Sequence, residues 1–198
     1  MPNYRRKRSQ GLTRIIIAGL LLLLFFNAGN IGRFIFPLPF RQVIFREAAM
    51  AGVDGTLVAA IIKTESNFDP GAVSVKGARG LMQVMPETGR WAAGKKGLPG
   101  YTPDLLFNPE YNLKIGVWYV SELYREYNGD VVLMLAAYNA GRGNVNKWLE
   151  QNSWTGDRNN IDQIPYPETR QFIRKVLFYQ QTYRYLYIAS PGRDLPTK

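Results

Sequence analysis

A chain of 198 residues, 46% of them hydrophobic, suits one domain of ordinary size with an appendage of about 40 residues. It carries 25 basic and 15 acidic residues, a net charge of +10, and neither Cys nor His. Those two absences exclude a Ser-His-Asp triad, a Cys-His pair, a zinc finger, a His-ligated metal and any disulfide. Acid–base chemistry then falls to carboxylates, Lys or Tyr.

The charge is unevenly placed. Every acidic residue lies at or after Glu47, and eight basic residues precede it. From Glu47 onward, 17 basic residues face 15 acidic ones, leaving +2. The basic character belongs to the N-terminal arm rather than to a stripe on a folded domain, so no nucleic-acid partner is expected. Residues 1–14 read as a basic cytoplasmic tail with Arg5, Arg6, Lys7, Arg8 and Arg14. The 18 residues 15–32 hold no charge. A spanning helix needs roughly 20 mostly apolar residues, about 17 at the least. Nothing in this run is amphipathic, which argues against a buried core helix. It predicts a transmembrane signal anchor over 15–32, the basic flank staying in the cytoplasm, then a linker over 33–39. A cleaved signal peptide is the alternative. Asn27-Ala28-Gly29-Asn30 is a poor small-x-small cleavage site, and without Cys there is no lipid-modified N-terminus. Either reading puts the body outside the cytoplasm.

The body reads as helices. Phe40–Met50 predicts a short helix that leads into a loop at Gly52. Asp54 is a suitable N-cap for Gly55–Glu65, with Leu57, Val58, Ile61 and Ile62 on its apolar face. Asn67–Arg79 is turn-rich. Pro86 opens a helix to about Gly94, and Lys95–Pro103 is a loop. Asn108-Pro109-Glu110 is a strong helix start, and that helix stops at Gly129. Asp130 caps another through Ala137, ended by Gly141. Asn144–Gln151 is short, Ser153–Pro167 a polar loop, and Glu168–Ala189 the longest body helix. No convincing strand and no repeat is seen. The prediction is one mainly α domain over 40–190, with a tail over 191–198.

Glu65 stands out by position. It lies three, four and seven residues from Ile62, Ile61 and Val58, at the C-terminal end of its helix, where about half a negative charge resides. That field, with burial, raises a carboxyl pKa and makes a general acid near neutral pH. A helix-end carboxylate reaching water is the plainer reading. Met82 and Met85 equally suit a core, and Tyr138 suits a satisfied core tyrosine.

Four segments follow one another in order: Glu65-Ser66, Gly80-Leu81-Met82-Gln83-Val84-Met85-Pro86, Ala136-Ala137-Tyr138-Asn139-Ala140-Gly141, and Ile164-Pro165-Tyr166-Pro167-Glu168-Thr169-Arg170. This series resembles the catalytic domain of the soluble-lytic-transglycosylase family, which has a lysozyme-like fold, over about Phe40–Tyr187. The resemblance implies that Glu65 is the single catalytic acid and base. It implies that Ser74 lies near the substrate N-acetyl group, that Gln83 lines the sugar groove and that Met85 borders the same subsite. Tyr138 would hydrogen-bond toward the acid with Asn139 beside it, and Glu168 would face the cleft. Phe172 departs from relatives, which often carry Tyr there.

The implied reaction is cleavage of the β-1,4 bond between N-acetylmuramic acid and N-acetylglucosamine in peptidoglycan. No water is consumed, and the C6 hydroxyl closes a 1,6-anhydro ring. Peptidoglycan strands and the cytoplasmic membrane are the expected partners, and no metal or cofactor is called for. Two alternatives remain: a lysozyme-type hydrolase, which needs a second carboxylate such as Asp69, Glu87 or Glu168, and a non-catalytic glycan-binding module.

Overall fold

A computed structural model of the chain describes residues 3–189. The expected tail over 191–198 lies outside the described residues. The chain divides into two compact units, one from residues up to Leu38 together with those from Tyr185, the other spanning Pro39–Arg184.

In the first unit, nothing between the basic tail and Pro37 breaks a helix, and helix α1 runs over Asn3–Ile35. It ends just before Pro37 and Pro39, which cannot continue it. The helix thus exceeds the expected 15–32 at both ends, and residues 33–35 are helical rather than linker. Among the described residues no single helix is long and apolar enough to cross a membrane. Ile16–Leu23 and Phe25–Ile35, bent by 49°, meet that length and composition only together. The expected last helix does not reach Ala189 as one α-helix. It ends at Arg184, and Tyr185–Ala189 winds as a π-helical turn packed on the end of α1. Gly32 permits that approach, since a Cβ there would stand 2.5 Å from Leu186 Cδ2. Arg33 Nε donates to the Leu186 carbonyl at 3.1 Å and the Tyr187 hydroxyl to the Phe36 carbonyl at 2.8 Å.

The second unit holds seven helices among the described residues: α2 (Arg41–Ala51), α3 (Gly55–Glu65), α4 (Pro86–Lys95), α5 (Pro109–Glu126), α6 (Val131–Ala140), α7 (Arg142–Glu150) and α8 (Pro167–Arg184). The sequence signals act locally as expected. Asp54 accepts from the Thr56 amide at 2.8 Å, Asn108 from the Tyr111 amide at 3.0 Å and Asp130 from the Val132 amide at 2.7 Å, each supplying a partner for an amide that the first turn leaves unpaired. Gly141, with φ 88°, ends α6, and α7 starts at once, two residues ahead of the expected Asn144. A short 3-10 turn over Pro103–Phe107 follows the expected loop at Lys95–Pro103, and another over Arg158–Gln163 lies inside the expected loop at Ser153–Pro167.

Helix α3 is the centre of this unit. Residues 55–62 are all buried, so Ala59 and Ala60 are enclosed along with the four expected apolar positions. Its main neighbour is α8, with α2 on another side; α2 also packs on α5, and α6 joins α5, α7 and α8. The turn-rich segment after α3 forms no regular strand. It is held by two isolated antiparallel bridges, Val73 to Arg79 and Arg79 to Val84. This packing sets the end of α3, the loop before α4 and the end of α6 around one space.

Candidate active site

The loop over 79–84 is fixed from four directions. Asn112, fully buried on α5, donates through Nδ2 to the carbonyls of Arg79 (2.9 Å) and Leu106 (2.7 Å), and its Oδ1 accepts from the Met82 amide at 2.9 Å. Ser66 Oγ donates to the Leu81 carbonyl at 2.8 Å. The Tyr138 hydroxyl donates to the Met82 carbonyl at 2.5 Å. Gln83 Nε2 donates to the carbonyls of Ala72 (3.1 Å) and Gly80 (2.9 Å). Two backbone conformations complete the loop. Gly80 has φ 72°, and a Cβ there would stand 2.1 Å from the Leu106 carbonyl. Gln83 adopts φ 45°, a left-handed conformation that costs a residue other than Gly about 1 kcal/mol.

A cleft of about 540 Å³ opens above this loop, and Glu65, Ser74, Gln83, Met85, Tyr138, Asn139 and Glu168 all line it. The seven side chains singled out in the sequence are thereby brought to one place from α3, the bridged segment, the α4 entry, α6 and α8. Their settings differ. Ser74 Oγ accepts from the Ala78 amide at 3.0 Å, closing the turn that borders the cleft. Met85 is exposed at the start of α4. Asn139 Oδ1 accepts from Thr169 Oγ1 at 2.7 Å, which turns the amide nitrogen into its remaining polar group. Glu168 is exposed in the first turn of α8.

Glu65 is the recessed carboxyl. Burial, and secondarily the charge of Glu168, push its pKa up to about 7. The plainer reading, a carboxylate reaching open water, does not describe this group. At neutral pH a substantial fraction of Glu65 holds a proton to give, and the remainder can take one. Burial, with Glu65 and Tyr119 beside it, also raises the Tyr138 pKa well above the ordinary phenol value. Its hydroxyl therefore stays protonated, with that proton directed to the Met82 carbonyl. The expected hydrogen bond toward the acid is not among the hydrogen bonds of the described residues, where the Tyr138 hydroxyl donates to Met82. A phenol has one proton, and here that proton goes to the Met82 carbonyl while the Glu65 charge acts on the ring hydroxyl from nearby. The Tyr138 ring stacks on Phe172, centroids 6.1 Å apart and planes within 8°, and Phe172 is buried.

Sequence reading missed the residues that hold the loop. Asn112 is one, Ser66 in its carbonyl-binding role is another, and Thr169, buried against Asn139, is a third. The visible signal was on α5: Asn112 and Gly116, four residues apart, interrupt an apolar side. A Cβ on Gly116 would stand 2.5 Å from Met82 Sδ, so the pair marks where the loop lies against the helix. Of the proposed second carboxylates, only Glu168 reaches the cleft. Asp69 Oδ1 accepts from the Gly71 amide at 2.8 Å within its own turn, and Glu87 is not among the lining residues.

A mainly helical domain with a recessed glutamate lining a cleft at the end of a buried helix defines a recognisable class. Residues 42–161 match the family described as the transglycosylase SLT domain, and the chain belongs to that family. Among individual proteins it is similar to the soluble lytic murein transglycosylase of Escherichia coli K12, 35% identical over 152 residues that cover 76% of this chain and 24% of that one. It is also similar to the membrane-bound lytic murein transglycosylase C of Histophilus somni strain 2336, 34% identical over 177 residues, covering 78% and 48%. The crystal structure of the 70 kDa soluble lytic transglycosylase from Escherichia coli superposes with a TM-score of 0.72 at 35% identity, covering 76% of this chain and 25% of that chain. The lysozyme-like fold expected from the resemblance is the fold observed. The chain spans between about a quarter and a half of the length of these curated relatives.

Proposed function

We propose that this chain is a membrane-anchored lytic transglycosylase that cleaves the β-1,4 bond between N-acetylmuramic acid and N-acetylglucosamine in peptidoglycan and leaves 1,6-anhydromuramic ends. The observation that carries this reading is Glu65 itself, a lone recessed carboxyl with a pKa of about 7 in the family's cleft. Protonated Glu65 gives its proton to the glycosidic oxygen as the bond to C1 breaks. The substrate N-acetyl oxygen, next to Ser74, stabilises the positive charge that develops at C1. Glu65, now a carboxylate, takes the proton of the C6 hydroxyl, whose oxygen bonds to C1. Both proton transfers use one group, and ring closure within one sugar draws on proximity rather than on a bound water.

The other lining residues have supporting roles. With its amide nitrogen held by two backbone carbonyls, Gln83 offers its carbonyl oxygen to a sugar hydroxyl or N–H. Asn139 offers its amide nitrogen, and Met85 an apolar edge. The uncharged stretch over 15–32 would tether this chemistry to the outer face of the cytoplasmic membrane, next to the polymer.

Glu168 keeps a second reading alive, because a carboxylate across the cleft could hold water for hydrolysis. One experiment separates the two. Purified peptidoglycan is digested with the full chain in detergent, and the muropeptides are weighed, with Glu65→Gln as control. Products one water lighter than hydrolytic ones, absent with the variant, are expected. Reducing ends would replace the proposal by a muramidase. Tight binding with no product from either protein would leave a glycan-binding module.

A further inference from the structure

Beside the cleft lies a group of side chains that the chemistry above does not use. Arg142, the first residue of α7, follows Gly141, which lines the cleft. Its guanidinium carbon sits 5.0 Å from the Trp91 ring centroid and 5.6 Å from that of Tyr119. Trp91 meets Tyr119 edge-on at 6.2 Å and Trp118 at 5.1 Å. Tyr119 itself lines the cleft, and its ring lies 5.8 Å from that of Tyr138. An aromatic wall therefore runs from the Tyr138 ring outward to Trp91, and the Arg142 cation rests on it.

Three features make this more than packing. Trp91, at 38% relative exposure, keeps over a third of its surface in solvent, a large apolar area against Tyr119, which lines the cleft. Arg142 makes one ion pair, Nη1 to Glu126 at 3.2 Å. A guanidinium has five N–H donors in a planar fork, so one carboxylate oxygen leaves most of that fork available. The two rings confine the guanidinium, so less rotamer freedom is lost when a ligand is bound. Finally, α7 has no side-chain cap, and its positive end adds to the Arg142 charge.

We propose that Arg142, braced by Trp91 and Tyr119, is a specificity-determining residue that binds a carboxylate of the glycan substrate. This rests on the transglycosylase reading of the cleft. The favoured chemistry is a bidentate guanidinium–carboxylate pair. Two sources can supply that carboxylate. One is the lactyl group of muramic acid, which is free when no peptide is attached and neutral when amide-linked to one. The other is the peptide, through its own carboxylates. Binding here is remote from the breaking bond and is felt equally in ground and transition states, so it acts on KM and leaves kcat nearly unchanged.

The test compares full-length wild type, Arg142→Gln and Trp91→Ala in detergent on three substrates: strands bearing peptides, strands stripped of peptides, and stripped strands with the lactyl carboxyls converted to methylamides. On the neutral third substrate, both variants should show the same KM as each other and as wild type, within the scatter of the assay. On one of the two anionic substrates, Arg142→Gln should raise KM about tenfold with little change in kcat, and Trp91→Ala should shift KM in the same direction by less. A rise on the first identifies peptide carboxylates, and a rise on the second the lactyl group. Arg142→Lys, which keeps the charge and loses the fork, should recover only part of the loss. An equal loss on all three substrates would assign Arg142 a structural role, and no loss on any would leave it outside the site; either overturns the proposal. Inactivity of the wild type on all three would instead overturn the transglycosylase reading, a distinct result.

Discussion

At the scale of single residues, the raised pKa of Glu65 has consequences for both rate and stability. The first step needs a protonated carboxyl, so kcat/KM should fall as pH rises through about 7. Glu168 contributes to that value by its charge, and Glu168→Gln should move the alkaline limb to lower pH; a profile with an unmoved limb would remove Glu168 from the electrostatics of the site. The folded protein disfavours the Glu65 carboxylate, while in the unfolded chain the group titrates near its ordinary 4.5. Between those values the unfolded state binds fewer protons, so the group costs stability as pH rises and the cost is complete above about 7. Glu65→Gln removes it. The variant should melt with wild type at about pH 4 and a few degrees higher at about pH 8, as followed by circular dichroism, while turnover is abolished. Residual activity above about a tenth of wild type would sink its role as the acid. For Tyr138→Phe the lost proton leaves the Met82 carbonyl without its partner, and a tenfold to hundredfold loss of rate is expected, about 1.4–2.7 kcal/mol. The sequence made Glu65 conspicuous by helix position and motif. It did not reveal which way the Tyr138 proton points, because that depends on a carbonyl 56 residues away.

Between elements, the site depends on the way α5 and α3 grip the loop before α4. Asn112 binds three backbone groups from α5, two of them buried. Asn112→Leu would leave the Met82 amide and the Leu106 carbonyl unpaired, at about 1–3 kcal/mol each, while the Arg79 carbonyl keeps the Val84 amide, so a loss of several kcal/mol in a denaturant titration is expected, together with a loss of activity larger than that of Ser66→Ala, which removes one such bond. The N-cap Asp54 works in a similar way between helices. Burial would raise its pKa, but hydrogen bonds from Thr56, Arg184 and Gln180 outweigh this and hold the carboxyl below its ordinary value. Asp54 thereby joins the start of α3 to the end of α8. Its contribution is present above about pH 4 and is lost as pH falls through the depressed value. Asp54→Ala should cost about 1–3 kcal/mol at neutral pH, and the difference from wild type should shrink in acid. The cap at Asp54 was legible because it is a local rule acting on the next two residues. Its link to α8 was not, since Gln180 is 126 residues distant.

For the whole molecule, composition alone divides the chain in two. A basic arm with an uncharged stretch precedes a nearly neutral body, and the unit over Pro39–Arg184 is compact by its own contacts. A chain starting at Pro39 is expected to melt cooperatively and to stay in the supernatant after ultracentrifugation, whereas the full chain is expected in the membrane pellet; recovery of both in the supernatant would count against the anchor. The helical class, most helix starts, the charge asymmetry of the arm and seven of the cleft's lining residues were legible along the chain, whereas Tyr119 was not. Caps, apolar periodicity, charge placement and ordered motifs are local features, decided within a few residues. Packing in three dimensions was needed to set where α1 and α8 end, how the loop over 79–84 is held, which carboxylate stands near Glu65, and that Arg142 rests on an aromatic wall beside the cleft. Each of these depends on groups far apart in the chain, brought together by helix packing, and periodicity along one helix carries no information about the partner of its buried polar atoms.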